Sequence, residues 1–446
     1  MEWDGLAEKH SQKLFASFVK ILFQESPALP LRLAGKHHAA RATEVSEFTT
    51  GAYNICCIVT FEDGFRVLVR FPILGQSRFR YEKTNDELLI MAFLARYTSI
   101  PIPRVIGAGK WECGPYIVTT VVEGTLLSKR LGDPAIRSPN LNPNVSNSEL
   151  AQAYRGMAQV MLELSKPTFP AIGALKWEAG EWKVAKRPLS LNMNELVRVA
   201  NCPPSVFAQP NFQTASEYFQ ELAARQFLHL KYQRNDALKD EHDCRKKYIA
   251  RCLFRRIAQQ ISAEPGPFHL YCDDLRPSNV LVSTDLTVAG VIDWEYTYVA
   301  PVEFTYTAPW WLLFESPEAW DLDQFLDRYT PCLQLFLQVL QSCEEEQLKK
   351  GALKESQRLS GRMRDSMENG LFWFCLAARK SFMFDEIYWT FLHERYFGHL
   401  NSVDDLLSLL TQGERDELDG FVQMKMQQAK EETLDEHLTF DEIFEL

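Results

Sequence analysis

The chain predicts an α+β fold: a small antiparallel sheet carrying one helix, followed by a larger and mainly helical region. Three observations predict it. Short β-rich runs separated by turn residues fill 46–122, long helical periodicity occupies 149–166, 214–262 and 316–430, and one strand-like island interrupts the helices at 268–293. The expected organisation is an N-terminal helical extension over 1–45, a sheet lobe over 46–122 and a helical lobe over 123–446. The helical lobe contains the segment 270–295 and a helical insertion at 176–262.

Each element has a local cause. Leu6, Leu14, Phe15, Phe18, Ile21 and Leu22 fall at helical spacing, which predicts an amphipathic opening helix. Ile55 to Phe61 and Phe65 to Phe71 are β-rich runs joined by the turn Glu62-Asp63-Gly64. Thr84-Asn85-Asp86-Glu87 has the pattern of a capping box ahead of a helix from Leu88 to Tyr97, and Ile100-Pro101-Ile102-Pro103 stops that helix. Val105 to Ala108 and Tyr116 to Val122 complete the sheet before Glu123-Gly124. The Pro-, Asn- and Ser-rich stretch Leu131 to Ser148 reads as an exposed loop, and Thr433 to Leu446 as an acidic terminal helix.

Composition excludes several classes. Of 446 residues, 46% are hydrophobic and 24% charged, an ordinary globular balance. The net charge of -11, from 59 acidic and 48 basic residues, comes with no basic stripe, so neither nucleic acid nor an anionic membrane surface is expected as a partner. Arg245-Lys246-Lys247 and Arg255-Arg256 read as solvated helix faces. Ten cysteines without a CxxC pair argue against a disulfide framework or a structural zinc, and Cys56-Cys57 read as small core hydrophobes. His37, His38, His229, His242 and His269 have no metal-ligand spacing, and no G-x-S-x-G elbow occurs. Met1-Glu2-Trp3-Asp4 lacks a signal peptide's basic start and no run of about eighteen apolar residues exists. The expected location is cytoplasmic.

The chemistry concentrates in Phe268-His269-Leu270-Tyr271-Cys272-Asp273-Asp274-Leu275-Arg276-Pro277-Ser278-Asn279-Val280-Leu281-Val282, continued by Val291-Ile292-Asp293-Trp294-Glu295. Two short apolar strands flank the turn Ser283-Thr284-Asp285, so an antiparallel hairpin returns the chain on itself. Asn279 enters this hairpin and Asp293 leaves it, which predicts cross-strand neighbours roughly 5 Å apart. Asp274 lies five residues upstream, across a Pro-containing loop. An amide and a carboxylate side by side suit magnesium, a hard cation that takes few protein ligands besides water and phosphate. A third carboxylate off the metal suits an attacking hydroxyl, the division of labour that in-line phosphoryl transfer needs.

Asp274-Leu275-Arg276-Pro277-Ser278-Asn279 followed by Ile292-Asp293-Trp294-Glu295 resembles the aminoglycoside phosphotransferase (APH) family, which has a protein-kinase-like two-lobed fold, and is similar above all to its divergent fungal branch. The resemblance runs over about 46–395. Val67-Leu68-Val69-Arg70 sits where that fold places a phosphate-binding basic residue, and Thr49-Thr50-Gly51-Ala52-Tyr53-Asn54 where it places the nucleotide loop. Glu87-Leu88-Leu89-Ile90-Met91 resembles its first helix and Tyr116 to Gly124 its hinge, while Phe384-Asp385-Glu386-Ile387-Tyr388-Trp389 resembles a late helix of the fungal branch. The resemblance implies Asp274 as catalytic base, Asn279 and Asp293 on Mg²⁺, and Arg70, held by Glu87, on the phosphates of ATP. It also implies that backbone amides of the turn through Gly51, Tyr53 and Asn54 cover those phosphates, and that the acceptor is a hydroxyl of a small molecule.

Three positions depart from the family pattern. Cys272 replaces a usual His, Arg70 replaces Lys, and Gly51 is the loop's one glycine. They leave open a second class, a catalytically silent kinase-like protein that binds a nucleotide, metabolite or protein partner. Protein-kinase H-R-D, D-F-G and A-P-E signatures are absent from the sequence, which disfavours a protein acceptor. Asp273 is a rival base by adjacency. Glu87 has two readings, a structural cap for Thr84 or the partner of Arg70. Trp294 and Glu295 are expected to pack and hydrogen-bond behind the metal site.

Overall fold

A computed structural model describes residues 1–207, 210–261, 266–399 and 403–445, with residues 403, 404, 440 and 445 described by backbone alone. Small parts of the expected insertion (208–209, 262), of the late helical run (400–402) and of the tail (446) lie outside the described residues.

The chain opens with α1 (Gly5–Gln24), whose first amides at Leu6 and Ala7 donate to the Asp4 carboxylate, and α2 (Ala28–Gly35). The strands β1 (Ala42–Val45), β2 (Thr49–Thr50), β3 (Asn54–Phe61), β4 (Arg66–Pro72), β5 (Val105–Trp111) and β6 (Gly114–Thr120) form one sheet in the order β1-β3-β4-β6-β5, with β2 also on β3. Strand alternation divides its two faces. Ile55, Cys57, Val59 and Phe61 of β3 and Val67, Val69 and Phe71 of β4 point into a core with Leu14, Phe18 and Leu22 of α1 and Leu29 and Leu33 of α2. Leu68 and Arg70 take the other face, where Arg70 pairs with Glu87 of α3 (Arg80–Tyr97).

Two expectations change here. The sheet begins at Ala42, ahead of residue 46, because β1 pairs with β3, and α1 and α2 form one wall of the sheet's own core. Helix α3 begins at Arg80, not after Thr84. The Thr84 hydroxyl donates back to the Arg80 carbonyl inside the helix, and the capping box does not form.

The helical region begins with β7 (Thr125–Leu126) and α4 (Leu127–Arg130), then α5 (Asn147–Ser165), which a Ser146–Glu149 capping box starts. The hairpin β8 (Ala174–Glu178) and β9 (Glu181–Lys186) follows, so the segment expected as a helical insertion opens with strands. Next come α6 (Leu191–Val199), α7 (Ala215–Tyr232) and α8 (Glu241–Gln260). Strand β10 (His269–Cys272) pairs with β13 (Thr297–Ala300), while β11 (Val280–Val282) lies between β12 (Val288–Val291) and β7. A core spanning α5, α7 and α8 supports these short ladders from behind.

The tail crosses back. Beyond the helix Gln412–Glu431, the short helix Phe440–Glu445 puts Ile443 into the core of the sheet and offers the Phe444 carbonyl to Arg80. The chain end therefore packs on the sheet, not within the helical lobe to which 123–446 was assigned. Among the described residues no helix is long and apolar enough to cross a membrane.

Candidate active site

The loop between β10 and β12 is a folded-back ribbon held from inside. A short turn, Pro277–Asn279, leads into β11, and Asn279 Nδ2 donates to the Asp274 carbonyl at 2.8 Å and to Asp274 Oδ2 at 3.0 Å. Both donor bonds come from Nδ2, so the amide oxygen is left as an acceptor.

The register differs from the expected one by a residue. Val280 pairs with Val291, and Ile292 N donates to the Asn279 carbonyl at 2.9 Å, so Asn279 faces Ile292 and not Asp293. A one-residue offset in an unbroken ladder sends two side chains to opposite faces. Strand β12 ends at Val291, and Asp293 beyond it has a left-handed backbone, φ +64°, so the alternation of the ladder does not set the direction of its side chain.

Arg70 reaches Asp293 from the sheet. Its Nη1 lies 2.9 Å from Asp293 Oδ1, and Nη2 donates to Glu87 Oε2. With no capping box to serve, Glu87 is the buried partner of Arg70. Burial works to depress the guanidinium, but Glu87 and Asp293 more than offset it and hold its pKa above the ordinary value. Burial raises the Asp293 carboxyl, and repulsion from Glu295 adds to that while Arg70 opposes it.

Asp274 is buried, with Arg276 Nε 3.0 Å from its Oδ1. Burial raises its carboxyl above the usual range, and Arg276 and the Asn279 amide oppose the rise. It lines a cavity of about 300 Å³ together with Tyr53, Leu191, Arg276, Trp310 and Lys380. The rival, Asp273, lines the same cavity but is occupied: it accepts from Leu191 N at 3.1 Å and Tyr298 OH at 3.3 Å, with Arg379 at 3.8 Å. It fixes the start of α6. Cys272, one residue earlier, is buried on β10 opposite Thr297, and burial pushes its thiol up.

The expected nucleotide loop is only partly available. Gly51 N donates to the Asn54 carbonyl at 2.8 Å, closing its own turn. The Asn54 side chain is buried: its Nδ2 donates to Glu295 Oε1 at 3.2 Å, and its Oδ1 accepts from Lys83 at 3.4 Å. Tyr53 OH donates to Glu195 on α6 at 3.0 Å. Of the three residues whose backbone amides were expected to cover phosphates, only Gly51 thus commits its amide to the turn itself, while the side chains of Asn54 and Tyr53 tie the loop to the core and to α6.

Lys83 is the site residue that sequence reasoning missed. It pairs with Glu295 Oε2, both side chains almost fully buried, directly behind Asp293. A signal existed: Lys83 lies four residues before Glu87, on the same face of α3. Trp294 packs beside it and donates Nε1–H to the Val291 carbonyl at 3.0 Å.

The sequence pattern of one family, the phosphotransferase enzyme family APH, matches residues 45–331, well over half the chain and all of the loop just described. The chain belongs to that family. No curated protein matches it. Solved structures similar to it include an amicoumacin kinase, hAmiN, in complex with AMP-PNP, Ca²⁺ and Ami (10% identity, TM-score 0.43, 91% of this chain and 99% of that one). A macrolide 2'-phosphotransferase type I is similar at 14% identity and TM-score 0.42 over 88% and 96%. A Thermobifida fusca protein described as a putative fructosamine-3-kinase aligns at 14% and 0.40 over 89% and 98%. As an APH member the chain is a phosphotransferase-family protein with the α+β, two-lobed, protein-kinase-like arrangement described above.

Asn279 and Asp293, the two residues expected at a divalent ion, supply hard oxygen donors. The free Asn279 amide oxygen and the Asp293 carboxylate, whose side chain keeps 29% of its surface exposed, fit magnesium.

Proposed function

We propose that the protein transfers the γ-phosphoryl group of ATP to a hydroxyl of a small molecule, with Asp274 as the base. One observation carries this reading: a buried carboxylate, fixed by Asn279 and Arg276, borders a cavity of about 300 Å³. The hydroxyl proton passes to Asp274 as the acceptor oxygen bonds to the γ-phosphorus, and the bond from phosphorus to the bridging oxygen breaks to release ADP. The environment suits that role, because burial raises the carboxyl's affinity for a proton while Arg276 keeps it ionised beforehand.

Asn279 and Asp293 would hold Mg²⁺, which when bound neutralises charge on the phosphates. Arg70 would face the phosphates, kept in place by Glu87, and Asp273 positions the α6 wall of the acceptor cavity. A small hydroxylated acceptor fits a cavity this size better than a polypeptide does. The closed turn at Gly51 favours the second reading, a silent binding protein.

Thermal-shift titration with ATP, with and without Mg²⁺, tests the metal–nucleotide assignment on wild type and Asp293→Asn. Magnesium-dependent stabilisation of the wild type, lost in the variant, is the expected result; identical responses would remove Asp293 from the site. Asp274→Ala should bind nucleotide as before while turnover with a phosphorylated acceptor falls at least ~10²-fold. ATP binding with no turnover across a broad screen of hydroxyl compounds would leave the silent binder standing.

A further inference from the structure

Helix α6 borders two cavities that share no residue. Glu195 faces the one at Asp274, whereas Val197 faces another, of about 420 Å³, walled by His10, Arg78 and the tail segment from Leu434 to Thr439. This second cavity contains a charge that the protein does not balance.

Arg78 is only 7% exposed, yet no carboxylate pairs with it among the described residues. Its Nη2 meets Ser11 Oγ at 3.4 Å, and its Nε is buried without any partner. Burial, with the like charges of Arg198 and Arg80 adding to it, lowers its pKa to about 10. Three other buried arginines have a carboxylate: Arg70 has Glu87, Arg198 has Glu195 and Arg251 has Asp385. Arg80 also lacks one and its Nε is buried without a partner, but both its terminal nitrogens donate, to the Cys113 and Phe444 carbonyls. An isolated buried cation costs several kcal/mol unless something compensates it.

The rest of the wall suits an anion. His437 Nε2 is buried without a partner, and His10 stands beside Arg78. Two acids also line the cavity, but Arg234 holds the Asp435 carboxylate at 2.8 Å and Glu436 is exposed to water. We infer that this cavity binds a small oxyanion, inorganic phosphate or the phosphate group of a metabolite, with Arg78 as its principal contact. A guanidinium presents paired N–H donors to two phosphate oxygens, and a neighbouring imidazole adds a third donor. The site is separate from the proposed phosphotransfer centre and does not depend on that reading.

Inorganic phosphate, titrated into full-length protein in a phosphate-free buffer, tests it by two readouts. The ring ¹H–¹⁵N resonances of His10 and His437 should shift saturably, and the melting temperature should rise. Arg78→Met should weaken phosphate at least ~10-fold by both measures. Arg78→Met should also melt at or above the wild type when phosphate is absent, since it removes an unpaired buried charge. Should that variant fail to fold, His437→Gln on the partly exposed tail should weaken phosphate several-fold. Asp293→Asn must retain the whole response, which separates this cavity from a nucleotide site. Histidine shifts that never appear, that persist undiminished in both Arg78→Met and His437→Gln, or that vanish in Asp293→Asn would overturn the assignment.

Discussion

Two ion-pair ladders join α3 to the loop that follows β12, and they differ in their access to water. The outer ladder runs from Glu87 through Arg70 to Asp293, with Arg70 12% and Asp293 29% exposed. The inner one, Lys83 with Glu295, is 2% and 1% exposed and takes in Asn54 from β3. A charge that faces water can exchange a protein partner for a ligand at small cost, whereas a fully buried pair cannot open without stranding an ion. The outer ladder is therefore suited to meet phosphate and metal. The inner ladder fixes the distance between sheet, helix and loop.

The largest effect should come from breaking the inner pair. Lys83→Met leaves Glu295 buried and uncompensated, and should lower stability by about 3–5 kcal/mol at neutral pH, read by denaturant unfolding. Adding Glu295→Gln should recover most of that loss, because an amide can still accept and donate within the Asn54 network. If Lys83→Met alone is nearly neutral, the inner ladder is not a structural pin and the contrast fails.

A second, smaller test uses Asp86, which lies between the two ladders on α3 and pairs with Lys186. Burial raises its carboxyl from 3.8 to about 6, with Lys186 opposing. The folded state then binds this proton more tightly than the unfolded chain does, so the group's contribution to stability falls as pH rises through the interval from 3.8 to about 6. Asp86→Asn should lack that fall. The stability difference between variant and wild type should change by on the order of 2 kcal/mol over this range. Parallel curves would show that Asp86 titrates in the folded protein as it does in the unfolded chain.

The candidate-site loop was legible as one cluster because its polar residues lie within 22 consecutive positions, 274–295, and hairpin physics alone brings them near one another. Even there the register was misjudged by one residue, since it is set by the turn that closes from Ser283 to Thr287 and by an irregularity between Leu281 and Val282, neither of which the apolar pattern records. The start of α3 was misplaced for a related reason. Thr84 offers a cap or an in-helix bond, and only tertiary packing, which continues the helix back to Arg80, decides between them. The wall of the cavity at Asp274 was not legible at all. It gathers Tyr53, Leu191, Trp310 and Lys380 from distant stretches, and no local periodicity records such a meeting. Amphipathic spacing identified α1 correctly but could not say that its apolar stripe closes the sheet's core.

The outer ladder yields the smallest and most specific test. Arg70 stands where the family pattern has lysine, and here its guanidinium spans two carboxylates at once, Glu87 through Nη2 and Asp293 through Nη1. An ammonium is a point donor and cannot hold that fork. Arg70→Lys keeps the charge, so stability should change by no more than about 1 kcal/mol. ATP·Mg²⁺ affinity should nevertheless fall ~10-fold, about 1.4 kcal/mol, because one of the two carboxylates loses its fixed position. Isothermal titration on both proteins reads this directly. Unchanged affinity would mean that the bidentate geometry serves only to hold the lobes, and the distinction between an exchanging ladder and a fixed one would shrink to a difference in solvent exposure.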